Sequence, residues 1–188
     1  MTFEAPSLEQ MFAALKREAG PGRAPAPVER WNPEFCGDID IVIRRDGLWF
    51  HEGARMTREA LVKLFASVLR KDEDGETYLV TPVEKMRITV EDAPFLAVRA
   101  DKNGGGAEQT ILFTTNMGDV VAAGPEHPLR VEIDSETGEP RPYVLVRGRL
   151  EARILRAPFL ELAEWAELDQ ARLRLRSGGI WFDLGAAA

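Results

Sequence analysis

The sequence predicts an α+β fold of two small units with mainly antiparallel sheets. Three observations predict it. Segments with the period-two alternation of half-buried strands come in runs instead of alternating with helices. Only three stretches carry a helical apolar period. Turn signals such as Asp46-Gly47 and Asn103-Gly104 separate the strands at hairpin spacing. The reading is about ten strands and three helices, which is not the alternating pattern of a Rossmann-type sheet.

The first element is a short helix over Ser7–Ala19, with Ser7 as cap, Leu8, Met11, Phe12 and Leu15 as an apolar stripe, and Gly20 as the stop. A Pro/Gly linker follows, so residues 1–30 form an N-terminal helix and tether. Residues 31–82 are expected to form the first α+β unit. In it Ile39, Ile41 and Ile43 alternate, Asp46-Gly47 turns the chain, and Leu48–His51 returns. Thr57 then stands where it would cap a helix from Arg58 to about Leu69, whose apolar face is Leu61, Leu64, Phe65, Val68 and Leu69. A charged loop from Lys71 leads to the strand at Tyr78.

Residues 83–188 are expected to form the second, β-rich unit with one helix. Its opening strand has Met86, Ile88 and Val90 on one face and Arg87, Thr89 and Glu91 on the other. Strands follow at Phe95–Ala100, Thr110–Thr115, Val120–Ala123, Leu129–Ile133 and Tyr143–Arg147. A helix is expected over Pro158–Leu168, with proline tolerated in its first turn. Two strands around Gly178-Gly179 close the chain. An internal duplication is also suggested, because Ala54–Leu64 overlays Ala152–Leu162 with four of eleven residues identical.

Composition narrows the function classes. The 188 residues are 45% hydrophobic and 29% charged, as in an ordinary soluble domain. A net charge of −7 argues against binding duplex nucleic acid, which depends on neutralising phosphates with Lys and Arg. Cys36 is the single cysteine, so no intramolecular disulfide forms, and a reducing, cytoplasmic setting is expected. With only His51 and His127 beside it, no metal site and no cofactor are expected. No apolar run is long enough to span a membrane, and the N-terminus lacks the pattern of a signal peptide.

No motif names a reaction. There is no phosphate-binding loop, nucleophile elbow or zinc-protease motif, so no catalytic residue is assigned. Glu84 and Asp92 are candidate carboxylates, but they lie eight residues apart on an extended strand, roughly 26 Å. One catalytic pair would require that strand to bend. Thr81, held extended by Pro82, presents a hydroxyl at a strand end beside Glu84 and Lys85. His51 is a candidate base only if a substrate proton comes within reach. The arginines at 141, 147, 149, 153 and 156 form the densest basic stretch, with Arg147, Arg149 and Arg153 on one face if the strand continues. Such a face suits bidentate anion binding, while pairing with the excess carboxylates is the plainer alternative.

These segments carry a family resemblance. Ile43-x-x-Asp46-Gly-x-Trp-Phe-His-Glu-Gly, the Arg58-x-x-Leu-Val-x-Leu-Phe-Ala-Ser helix and Tyr78-Leu-Val-Thr-Pro-Val-Glu-Lys are three of them. Ile88-x-Val-Glu-Asp-Ala-Pro-Phe, Pro142-Tyr-Val-x-Val-Arg-x-x-Leu-x-Ala-Arg and the final Gly-x-x-Phe are the others. Over roughly Asp38–Gly185 they resemble the proteobacterial Domain of Unknown Function family 1285. The resemblance implies a C-terminal unit like a pleckstrin-homology barrel, duplication of the two units, and a nucleotide-like ligand between them with a role in signalling. On this basis the expected function is non-enzymatic binding of a nucleotide-like or phosphate-bearing ligand. Arg58, Thr81, Glu84, Lys85, Asp92 and Arg153 are the candidate ligand-binding residues. A homodimer is an arrangement open to it. The alternatives are a hydrolase with His51 or Glu84 as base, and a protein-interaction module using the Trp31 or Trp181 region.

Overall fold

The computed structural model describes residues 26–186, so the helix expected over Ser7–Ala19 and most of its linker lie outside the described residues. The chain divides between Asp92 and Ala93 into two compact units. In the first, a 3-10 turn (Val28–Arg30) precedes β1 (Phe35–Ile43), β2 (Trp49–His51) and β3 (Ala54–Arg55). Then come α1 (Glu59–Ser67), β4 (Leu69–Lys71), β5 (Thr77–Val80) and β6 (Lys85–Val90). The six strands form one sheet in the order β3-β2-β1-β6-β5-β4. Only the central β1–β6 pair is parallel.

Alternation sets the core of this unit. Ile41 and Ile43 of β1 and Met86 and Ile88 of β6 point to the buried face, with Trp49, Phe65, Leu69 and Leu79. The Asp46-Gly47 turn forms as expected, with Gly47 at φ +77° and the Leu48 amide donating to Asp46 Oδ1. Thr57 does not cap α1. Arg58 occupies the N-cap position in an extended conformation, with no side-chain capping bond. The helix also ends before Leu69, because Leu69 pairs with Leu79 and so belongs to a hairpin. β6 completes the first sheet, so the unit boundary falls after Asp92 and not after Pro82.

The second unit runs through β7 (Phe95–Asn103), a 3-10 turn (Gly106–Glu108), β8 (Thr110–Thr115), β9 (Val120–Ala122) and β10 (Leu129–Ile133). β11 (Pro140–Arg147), β12 (Leu150–Ile154) and α2 (Arg156–Trp165) follow. A meander of β13 (Glu167–Asp169), β14 (Arg172–Ser177) and β15 (Ile180–Ala186) ends it. The larger sheet has the order β10-β11-β12-β7-β8-β9, with β12 and β7 parallel. Counted from the first strand of each unit, both six-stranded sheets read 3-2-1-6-5-4.

The sequence overlay does not follow that correspondence. It sets β3 and α1 against β12 and α2, the third strand of one sheet against the sixth of the other. The expected common face for Arg147, Arg149 and Arg153 also fails. The chain turns at Gly148, φ +51°, which leaves Arg147 ending β11 and Arg153 within β12. The expected helix over Pro158–Leu168 is α2, shifted toward the N-terminus. Leu168 instead pairs with Leu173 in the final meander.

The meander is fastened to β8 and to the residue that follows β9 by buried polar contacts. Ser177 Oγ accepts from the Ile111 amide at 2.8 Å and donates to the Ala123 carbonyl at 2.6 Å. Gly178 follows at φ +56°, and a Cβ there would lie 2.8 Å from the Ala123 oxygen.

Candidate functional site

In the first unit, Thr81 and Glu84 lie in the turn between β5 and β6, and of the expected site residues only Lys85 stands on the outward face of the sheet, beside Arg87. Parity explains this, because Lys85, Arg87 and Thr89 alternate with the buried Met86 and Ile88. Register places Tyr78 between Arg70 and Arg87 across three adjacent strands. The parallel pair sets Asp38 against Arg87 and Phe35 against Lys85.

The residues Thr81 to Glu84 form a closed turn. Thr81 Oγ1 accepts from the amides of Glu84 at 3.0 Å and Val83 at 3.3 Å, and the Thr81 amide donates to the Glu84 carbonyl. Thr81 is thus buried, and its hydroxyl organises its own loop. The next residue, Lys85, reaches Asp72 Oδ2 at 2.5 Å and lies 4.0 Å above the Tyr78 ring.

Asp72 is shared. Arg70 Nε donates to its other oxygen at 2.6 Å, while Arg70 Nη1 donates to the carbonyls of Val28 and Trp31. Arg70 therefore clamps the segment entering the unit. Partial burial raises the Asp72 pKa, but the bonds from Arg70 and Lys85 outweigh it and hold the carboxyl below its usual range. Tyr78 donates to Asp74 at 2.7 Å, and this bond together with burial pushes its hydroxyl up to about 12.

Beside this network lies an open pocket of about 370 Å³, lined among others by Asp38, Glu76, Thr77, Arg87 and Thr89. Arg87 grips Asp38 through Nε at 2.9 Å and Nη2 at 2.8 Å. Those bonds depress the Asp38 pKa and raise that of Arg87. The two side chains are 62% and 42% exposed, a setting in which solvent screening leaves an ion pair little net effect on stability. What the pair provides is a fixed donor and acceptor at the pocket wall. Carboxylates at 38 and 76 accept hydrogen bonds, Arg87 and the threonine hydroxyls donate, and the set suits a neutral ligand rich in hydroxyls.

The other expected residues stand elsewhere. Arg58 is exposed at the entry to α1, and Asp92 is half-buried at the end of the first unit. In the second unit, Arg153 Nη1 donates to the Tyr143 hydroxyl at 3.3 Å, and its guanidinium lies 5.3 Å from the ring centre. Arg130 covers the same ring at 4.3 Å and is forked by Glu151. Register again places the tyrosine between two arginines, Arg130 and Arg153. Arg147 lies over the Phe95 ring and pairs with Asp119 at 3.6 Å. Burial lowers its pKa more than Asp119 raises it. His51 lies in β2 opposite Ile41, and among the described residues no group of three His, Cys, Asp or Glu could hold a metal.

The break after Asp92 falls within one residue of the boundary at which a known family is divided into two domains. Residues 26–93 match the N-terminal domain, and residues 94–184 the C-terminal domain, of DUF1285, a domain of unknown function. The chain belongs to the DUF1285 family. It is similar to a DUF1285 protein of Silicibacter pomeroyi, with 44% identity over 97% of each chain and a TM-score of 0.87. A DUF1285 protein of Shewanella baltica is 26% identical over 66% of this chain and 90% of its own, with a TM-score of 0.51. No curated protein matches the chain.

Asp38, Glu76 and Arg87 of this DUF1285 chain were not singled out as site residues from sequence. Arg87 and Asp38 are brought together by parallel pairing of strands 49 residues apart. A sequence read as mainly antiparallel gives no signal for that register.

Proposed function

We propose that the protein is a non-enzymatic ligand-binding protein with a regulatory role, taking a nucleotide-like ligand whose sugar occupies the first-unit pocket. One observation carries the reading: Arg87 and Asp38 are locked into a fixed donor–acceptor pair at the wall of a 370 Å³ pocket. That volume is within the usual range of small-molecule sites. Asp38 and Glu76 accept from ribose hydroxyls while Arg87 and Thr89 donate. Lys85 adds positive charge on the strand that carries Arg87, Thr81 and Glu84 hold the turn that leads into it, and Arg58, Asp92 and Arg153 are not among the residues lining the pocket. The common strand order and the Arg–Tyr–Arg arrangement in each sheet support descent of the units from one duplicated ancestor. A six-stranded sheet followed at once by α2 supports the likeness of the second unit to a pleckstrin-homology barrel.

The test is a thermal-shift screen of nucleotides. A ligand that binds only the folded chain raises its melting temperature, by an amount set by its concentration relative to Kd. Arg87→Gln removes the shift. The reading fails if no nucleotide moves the wild-type transition. Turnover of a small phosphoester that Glu84→Gln abolishes would replace it with a hydrolase.

A further inference from the structure

An exposed aromatic side chain stands on the strand that carries Asp38. Phe35 begins β1 and is 55% exposed, whereas Trp49 and Tyr78 of the same sheet are buried. Its backbone pairs with Lys85, and the same strand continues to Asp38, the partner of Arg87. Its ring meets Tyr78 edge-on, with centroids 6.2 Å apart and planes at 83°. Tyr78 in turn sits opposite Arg87. Phe35 is therefore one side chain removed from the pocket wall, fixed in orientation by strand pairing and by Tyr78.

We infer that Phe35 is a stacking platform for a flat heteroaromatic ring, such as a nucleobase, on the ligand whose sugar enters the Arg87–Asp38 pocket. The inference rests on the pocket reading proposed above and names the part of the ligand that reading leaves unassigned. The physical case is one of pre-organisation. Lys85 already lies over the Tyr78 ring, so Tyr78 is engaged. The edge-on contact holds Phe35 upright while more than half of it stays open to solvent. A rigid ring costs little entropy to order when a second ring stacks on it. Stacking does not discriminate strongly among bases, because every base has a π-face. Phe35 would then favour no one base, and what the pocket's carboxylates select is the hydroxyl-bearing sugar.

Isothermal titration of the full chain with adenosine 5′-monophosphate and ribose 5-phosphate tests this. Phe35→Ala weakens the first ligand about tenfold or more and leaves the second unchanged, as expected for losing one base–aromatic stack. Phe35→Trp retains the affinity. Because Phe35 is exposed, neither variant threatens the fold. Arg87→Gln weakens both ligands, which reports on the pocket separately. If Phe35→Ala affects the two ligands equally, or affects neither, stacking is refuted while the pocket stands. If neither ligand binds the wild type, the pocket reading and the stacking fail together.

Discussion

The charge network around Tyr78 makes the first unit sensitive to pH at both ends of the scale. The folded pKa of Asp72 lies below its unfolded value, so its contribution is present above about pH 4 and is lost as pH falls through the folded value. Asp72→Asn leaves Arg70 and Lys85 with a weaker acceptor. It is expected to cost about 2 kcal/mol in urea denaturation at pH 7, with the difference from wild type shrinking in acid. Tyr78 has the opposite sign. Its hydroxyl is raised from 10.0 to about 12, so its contribution is full below pH 10 and disappears as pH climbs to about 12. Tyr78→Phe should therefore flatten the alkaline limb of the stability profile measured by circular dichroism, and an unchanged limb would exclude this role. Thr81→Val loses an acceptor for two amides and should destabilise by about 1 kcal/mol, whereas Thr81→Ser should not. At this scale the sequence located Lys85 at a strand end, but not its anchor. Asp72 reads as one charge among several in a loop until the β4–β5 hairpin brings it to Lys85.

Elements with a long apolar period were the most legible. β8 and β10 have the bounds expected from alternation, and β6 shows the expected faces. The strands that escaped are β3, β4 and β13, of two or three residues each and too short to display a period of two, and β12, which alternates cleanly but merges in the sequence with the strand before Gly148. Their existence is decided by pairing partners, as Leu168 shows by facing Leu173. The fastening of the final meander was likewise invisible, since Gly178 reads from sequence as a turn residue and Ser177 carries no local signal of its buried partners. Gly178→Ala should destabilise the second unit by about 2–4 kcal/mol, because the new Cβ meets the Ala123 carbonyl and the residue must keep a positive φ. Ser177→Ala strands the buried Ile111 amide and should cost about 1–3 kcal/mol. Equal melting temperatures for these variants and wild type, measured by calorimetry, would contradict both.

At the scale of the whole chain, each unit completes a six-stranded sheet from its own residues, with a break between Asp92 and Ala93. Residues 26–92 and 93–188, produced separately, are expected to give dispersed amide spectra. A collapsed spectrum from either half would show that its core is incomplete alone. Fold class and mainly antiparallel character were legible because hairpin turns and alternation are local signals. The two parallel pairs were not, because each joins strands distant in sequence, and the pocket wall depends on one of them. The ladders have one more consequence. The chain has two tyrosines, and each occupies the middle of a ladder, Tyr78 in one unit and Tyr143 in the other. Nature has thus placed a single native probe in each half. Incorporating fluorotyrosine would give two fluorine resonances, letting the units be followed separately in one sample with no engineered label.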